Sequence, residues 1–347
     1  MRRTTAPSWG VSQRLLKIWY QTVIEKIILY CSGVWAAHLT TKLEKRTLLS
    51  IQRLFLVQIA RSYRTSSTVA LQVLTGIPPI DLVAARENTL SRVLRLTQDS
   101  TLWGRTYSTA IYDKKVNYQI CHPAAFNLQN SISLQPVSFS KGISIFTDGS
   151  KMSTGTGSGL CIMNGINLLR EWRRRLNIEN SVFQAELTAL KKAISLSFAF
   201  LQKVTIYSDS QSSLLAIANP NIRHSLVSSI QQALLNLPDA IRPQLSWIPA
   251  HQGFVGNERA DVLAKQAAQG TMLPEHALPL PPSHLKRSTF TQLISEWQSR
   301  WTAATTGRRT FKFLPKVSVE YLTTSAALTY FLTGHGPFKQ YLFRFGA

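Results

Sequence analysis

Four acids in this chain sit where they could share one piece of chemistry. Asp148 closes the run I-S-I-F-T-D at 143–148, which reads as a buried strand, and Gly149 and Ser150 follow at once. Glu186 falls one turn past an expected helix cap, Asp209 follows a short apolar strand, and Asp261 falls in the first turn of an expected helix, where the dipole favours an anion. Gathered together, such carboxylates would suit Mg²⁺, a hard cation held by a few acids, its own waters and a substrate phosphate. Two such ions about 3.5–4 Å apart activate a water, neutralise phosphate charge and stabilise a leaving oxygen. Phosphodiester cleavage is the reaction this set would serve. Taken singly, each acid says little: a lone aspartate at a strand end is most often a turn or cap residue, and a lone glutamate on a helix is usually solvated. The weight rests on all four occurring in one succession of elements.

Those elements begin after Lys141. Strands are expected at Ile143–Thr147, Leu160–Met163 and Leu168–Arg175, with Gly155, Gly157 and Gly159 marking a turn and Asn164-Gly165 a hairpin dipeptide. Ser181 and Gln184 form a capping box opening a helix over Val182–Ala199, whose core face is Leu187, Leu190 and Ile194. A strand at Val204–Ser208 and a helix from Ser210, stopped by Asn219-Pro220, come next. A helix at Ile222–Asn236, a strand at Gln244–Ile248, a loop at Pro249–Asn257 and a helix at Glu258–Ala268 complete the set. A three-strand meander followed by strand–helix alternation predicts an α/β fold, a mixed five-stranded sheet with flanking helices.

The remainder of the chain is different in kind. Of 347 residues, 39 are Lys or Arg and 17 Asp or Glu, a net charge of +22 that suits a polyanionic partner, above all nucleic acid. The excess is uneven: +12 over residues 1–141, +4 over 142–270 and +6 over 271–347. Residues 1–98 read as an all-α basic segment. One helix is capped by Ser12, and a second, about Thr41–Ala60, has Leu48, Ile51, Phe55 and Ile59 on one face. A short helix runs from Ser67 to Gly76, and another covers Asp81–Leu96. Residues 99–140 and the proline-rich 271–287 read as linkers around the domain at 142–270. A tail at 288–347 opens with an amphipathic helix bearing Phe290, Leu293, Ile294, Trp297 and Trp301. Cys31, Cys121 and Cys161 offer neither a disulfide framework nor zinc spacing, which favours a reducing compartment. The apolar run at 27–37 is too short to span a membrane, so no membrane partner is expected.

Local text adds a resemblance. F-T-D-G-S at 146–150, Q-A-E at 184–186, Y-S-D-S at 207–210 and W-I-P-A-H-Q-G-F-V-G-N-E-R-A-D-V-L-A at 247–264 closely resemble type I ribonuclease H over residues 142–270. The resemblance implies a ribonuclease H-like sheet and an enzyme that cuts the RNA strand of an RNA–DNA hybrid with two Mg²⁺ ions, Mn²⁺ being a possible substitute, and no small-molecule cofactor. It places Asp148, Glu186, Asp209 and Asp261 as metal ligands and gives His251 a role in proton transfer and product release. Asn257 and Glu258 would shape the loop and cap. Gly149, Ser150 and Ser210 are expected substrate contacts by position. One feature departs from some family members: residues 220–243 carry only Arg223, His224 and Arg242 in place of a basic, aromatic helix, which shifts substrate holding toward the flanks.

The flanks resemble another text. L-Y-C-S-G-V-W-A at 29–36, I-Q-R-L-F-L at 51–56, Y-R-T-S-S-T-V-A-L-Q-V-L-T-G-I-P-P at 63–79 and L-T-G-H-G-P-F at 332–338 are similar to the C-terminal part of non-LTR retrotransposon polyproteins, after the reverse-transcriptase palm. No Y-x-D-D polymerase motif is present, so a truncated fragment without polymerase chemistry is expected. Two alternatives stand beside the nuclease: a retroelement relic that binds nucleic acid without cutting, and a transposase or integrase of related fold. The latter would show three acids in a D-D-E pattern and no P-A-H-Q-G string. The element's life cycle implies the nucleus, although no import signal stands out.

Overall fold

The computed structural model describes residues 10–39, 41–116, 122, 125–135, 142–250, 252–270 and 273–343. His251, Cys121, Lys141 and the basic residues of the first eight positions lie outside the described residues. The chain divides into two compact units, one from the parts up to Thr109 and from Leu285 onward, the other Ala110–His284.

The first unit is helical. Ser12 Oγ accepts from Leu15 N at the head of Gln13–Trp19, and Thr41 with Glu44 forms a full capping box for Lys42–Ile59. Gly76, at φ +61°, ends Thr68–Thr75 in the left-handed conformation that glycine adopts without a Cβ penalty. Ile80–Leu94 follows, and Pro282–Ala303 carries the chain into this unit again. Ala70, Val73, Ile80, Leu293, Trp297 and Trp301 share one core cluster, so the tail helix and the N-terminal helices build the same interior.

Two helix faces differ from expectation. In Lys42–Ile59 the buried residues are Gln52, Leu56 and Ile59, whereas Ile51 is 38% exposed. The helix is rotated because Gln52 is bonded inside: its amide donates to Pro78 O, and its carbonyl accepts from Gln72 Nε2 and Ile80 N. A buried polar group needs partners, and these lie at the chain break at 78–80. In Pro282–Ala303, Leu285 and Thr289 are buried beside Leu293, Trp297 and Trp301, while Phe290 is exposed beneath Arg86. No single helix among the described residues is long and apolar enough to cross a membrane.

The second unit is built on a seven-stranded sheet. Its strands are β1 (Ile132–Ser133), β2 (Ile143–Met152), β3 (Gly155–Asn164), β4 (Asn167–Leu176), β5 (Thr205–Ser208), β6 (Gln244–Trp247) and β7 (Glu275–His276). Their spatial order is β1-β6-β5-β2-β3-β4-β7. The five expected strands form the centre, and two-residue strands add the edges. The added strand β1 falls within 99–140, as does a hairpin of Ser100–Leu102 with Arg105–Tyr107 in the helical unit. β2, β3 and β4 form the antiparallel meander, and β2, β5 and β6 run parallel. The helices are α1 (Val182–Ser197), α2 (Gln211–Ala218), α3 (Ser225–Leu235) and α4 (Val255–Gln269). Leu187, Leu190 and Ile194 of α1 are buried against Ile145, Leu160, Ile206 and Leu245 of the sheet.

Gly155, Gly157 and Gly159, expected in a turn, are strand residues of β3. A Cβ on Gly157 would meet Ala264 O at 2.2 Å, and one on Gly159 would meet Ala260 O at 2.5 Å. Alternate glycines on one strand face are what let the backbone of α4 lie directly on the sheet.

Candidate active site

The fold brings three of the four acids together. β2 and β5 are parallel neighbours paired through Thr147 and Ser208, so the residues after that pair, Asp148 and Asp209, emerge side by side. Glu186 arrives from the other side. Ser181 Oγ accepts from Gln184 N, and Gln184 Oε1 accepts from Ser181 N, which sets where α1 starts and hence where its fifth residue points. Gly149 lets α1 approach, since a Cβ there would sit 2.6 Å from Glu186 N. One oxygen from each of Asp148, Glu186 and Asp209 lies within 4.8 Å of the other two.

Asp148 does not end its strand, as the apolar run suggested. β2 continues to Met152 because β3 pairs with it throughout, whereas β5 leaves it after Thr147. The acid therefore lies inside a strand whose one edge is freed at that residue. Asp261 also differs from its expected setting. α4 begins at Val255, so Asp261 is its seventh residue and lies beyond the first turn, where the helix dipole acts. Its carboxylate accepts from Lys265 Nζ at 2.7 Å, one turn further along. It lines the same cleft as Asp148, Gly149, Asp209, Asn257 and Glu258, a space of about 150 Å³.

The electrostatics of the cluster are unfavourable without a cation. Burial pushes Asp148 up to about 7, with the negative charges of Asp209 and Asp261 acting in the same direction and the Gly149 amide, which donates to Oδ1 at 2.7 Å, acting against it. Burial raises Glu186 well above the ordinary carboxylate range, aided by the charges of Asp148 and Asp209. Glu186 Oε2 is buried and has no hydrogen-bond partner among the described residues. Closely set, desolvated, oxygen-only donors with an orphan atom among them fit a hard divalent cation.

Asn257 was expected to shape the loop and cap; in the structure its Nδ2 also donates to Asp209 Oδ2 at 3.2 Å, and its own Oδ1 is buried without a partner among the described residues. It precedes Asp261 by four residues, and helical i, i+4 spacing is the signal that could have placed it on the acid's face. Trp247 Nε1 donates to Asp209 O at 3.1 Å and fixes the backbone there. Gly256 lies against the Phe146 ring, which stacks on Tyr207, so α4 seats close to the strands that carry the aspartates. Of the expected substrate contacts, Gly149 lines the cleft and Ser150 follows on β2 two residues past Asp148. Ser210 Oγ is 2.8 Å from Ser213 Oγ at the start of α2. Arg242 is buried and bonds Leu234 O and Leu237 O at the end of α3, so it serves the fold.

The RNase H family matches residues 140–269. A putative 115 kDa protein in the type-1 retrotransposable element R1DM of Drosophila melanogaster is 32% identical over 118 residues, 33% of this chain and 12% of that protein. A retrovirus-related Pol polyprotein from the type-1 retrotransposable element R1 of Nasonia vitripennis is 32% identical over 87 residues, 25% of this chain and 26% of that protein. Its counterpart in Bradysia coprophila is 34% identical over 76 residues, 21% of this chain and 8% of that protein. The matched part spans at most about a quarter of the length of these relatives.

Proposed function

We propose, from the match of residues 140–269 to the RNase H family and the similarity to retrotransposon proteins, that the chain is an endoribonuclease of a retrotransposon that hydrolyses the RNA strand of RNA–DNA hybrids. The observation that carries this reading is the trio Asp148, Glu186 and Asp209, with oxygens within 4.8 Å of one another, the first two buried and the third half-buried. These three would hold divalent metal, Mg²⁺ by the hardness of the donors, and Asp261 would complete the set from α4. When bound, two such ions supply neutralisation of phosphate charge and activation of a water.

The protein's own groups do the positioning. The Gly149 amide orients Asp148, Asn257 and the Trp247 indole orient Asp209, and the capping box orients Glu186. Hydrolysis adds water oxygen to phosphorus and breaks the bond to the leaving ribose oxygen. His251 would shuttle the proton and ease product release. Gly149, Ser150 and Ser210 lie beside the acids and would contact the hybrid, whose RNA is told from DNA by its 2′-hydroxyls.

The test is cleavage of a labelled RNA–DNA hybrid with Mg²⁺, beside single-stranded RNA, duplex DNA and Asp148→Asn. The expected result is metal-dependent cutting of the hybrid's RNA alone, reduced about 10³-fold or more in the variant. Tight hybrid binding with no cutting at any Mg²⁺ concentration would overturn the nuclease reading in favour of a non-cutting relic.

A further inference from the structure

The edge of the sheet farthest from β1 carries charge that the catalytic reading leaves unused. Strand β4 contains the run Arg173-Arg174-Arg175, and side chains alternate faces along a strand. The outer two turn toward α4 and are occupied there. Arg173 Nη1 donates to Gln266 Oε1 at 2.7 Å, and Arg175 donates to Thr154 O at 2.8 Å and Ala268 O at 3.3 Å. Glu171, on the same face, is bonded by Arg259.

The even positions face the other way, toward α1. Ser158, paired with Arg174, donates to Ala185 O of α1, and Trp172 packs against the cluster that holds Leu187 and Leu190. On this face Arg170 and Arg174 are exposed, as is Lys191 of α1, and none of the three is in an ion pair with a carboxylate among the described residues. Arg174 lies 5.8 Å over the Trp172 ring and 3.3 Å from His276 Nδ1. The His276 imidazole is held below its ordinary value by burial and then by the positive charges of Arg174 and Lys191. Glu275 on β7 is in register with Arg175 and is bonded by Asn177 Nδ2 at 2.8 Å.

Position gives the strip a use. Arg174 is in register with Ser158 and, through it, with Gly149, which lines the catalytic cleft. Two strand spacings, about 10 Å, separate Arg174 from Gly149, and Arg170 is about 13 Å further along the strand. β7 pairs only with Arg175 and Leu176, so the edge from Asn167 to Arg174 has no neighbouring strand among the described residues. Cations spaced along a line, set against an aromatic ring and without acids between them, suit a phosphodiester backbone.

We propose that Arg170, Arg174 and Lys191, with Trp172 and His276 beside them, form an auxiliary strip that grips the backbone of nucleic acid running past the catalytic cleft. It rests on the reading of the domain as a nucleic-acid enzyme and adds a second contact surface within it. This would supply, on the meander side of the sheet, holding power that residues 220–243 lack.

The test uses the full chain carrying Asp148→Asn, so that nothing is cut. Binding of a labelled RNA–DNA hybrid is followed by fluorescence anisotropy from about 50 to about 200 mM salt. Replacing Arg170, Arg174 and Lys191 together by Gln should make the slope of log affinity against log salt shallower by roughly 2–3, at about 0.9 per lost phosphate contact. Arg173→Gln, on the opposite face, should leave the slope within error. An unchanged slope in the triple variant, or an equal change per charge from Arg173→Gln, would overturn the strip. Wild-type chain that fails to cut while the triple variant still shows the shallower slope would overturn the nuclease reading and leave the strip standing.

Discussion

Asp81 in the helical unit and Glu186 in the sheet unit are both helix acids with almost no exposure, 3% and 6%, yet they keep opposite company. Asp81 Oδ2 accepts from Arg300 Nη1 at 2.6 Å, a partner brought from the tail helix. Each acid also has one buried oxygen without a hydrogen-bond partner among the described residues, Asp81 Oδ1 and Glu186 Oε2, but the charged neighbours of Glu186 are two more carboxylates. The first arrangement ties distant parts of one core together. The second sets like charges against one another away from water, which works against folding. Burial of an acid therefore says little by itself; the sign of its neighbours separates a structural charge from one kept for chemistry.

Substitutions at Glu186 and Arg300 should have the largest effects, in opposite directions on stability. Glu186→Gln should cut hybrid cleavage about 10³-fold, yet raise the metal-free unfolding midpoint in urea, because an unpaired buried carboxyl is gone. Arg300→Met should do the reverse to stability, lowering it by about 3 kcal/mol through the stranded Asp81. Glu186→Gln protein that unfolds more easily than wild type without metal would contradict the contrast.

A smaller effect is expected where the sheet unit is tightened for its site. Gly159→Ala places a Cβ 2.5 Å from both Ala260 O and Ala264 N, which must push α4 and Asp261 outward. The expected cost is about 1–3 kcal/mol, together with a weaker rise in melting temperature on adding Mg²⁺. An undiminished Mg²⁺ response would separate the packing of α4 from the metal-holding set.

The mildest probe is pH. The folded chain keeps a proton on Asp148 up to about 7, whereas the unfolded chain releases it near the ordinary 3.8. Between those values the folded state binds more protons, so this contribution is full below the lower value and is lost as pH rises through the upper one. Metal-free melting temperature should therefore drift down across that window, with Asp148→Asn showing a flatter profile. Mg²⁺ should stabilise more above pH 7 than below it, since cation and proton compete for the same oxygens. Equal stabilisation on both sides would place the cation elsewhere.

Much of this was legible in the chain because its causes are local. The capping box Ser181–Gln184 marks a helix start within four residues and is present, and the helix expected from about Thr41 proves to be capped in the same way by Thr41 and Glu44. Four of the central strands carry apolar residues in short runs, the Arg-rich β4 follows the Asn164-Gly165 hairpin, and the mixed sheet follows from their order. What escaped depends on contacts distant in sequence. The alternating glycines of β3 looked like a turn because the helix they accommodate is about a hundred residues away. α4 starts at Val255 with no side-chain cap at Phe254, so no local signal marked its first turn. Gln52, polar in an apolar stripe, is buried because the Pro78–Ile80 break needs its amide.

The sequence by itself determined the identity of the acids, the strand and helix types that carry them, and the basic excess around them, since composition, period and caps act over a few residues. Only the tertiary structure decided which acids meet, that Asp261 pairs with Lys265 while Asp148, Glu186 and Asp209 close together, and that Arg174 turns away from Arg173 and Arg175. Those outcomes depend on strand order and on how closely two helices can approach one sheet. These are properties of packing, which a residue's immediate neighbours in the chain do not specify.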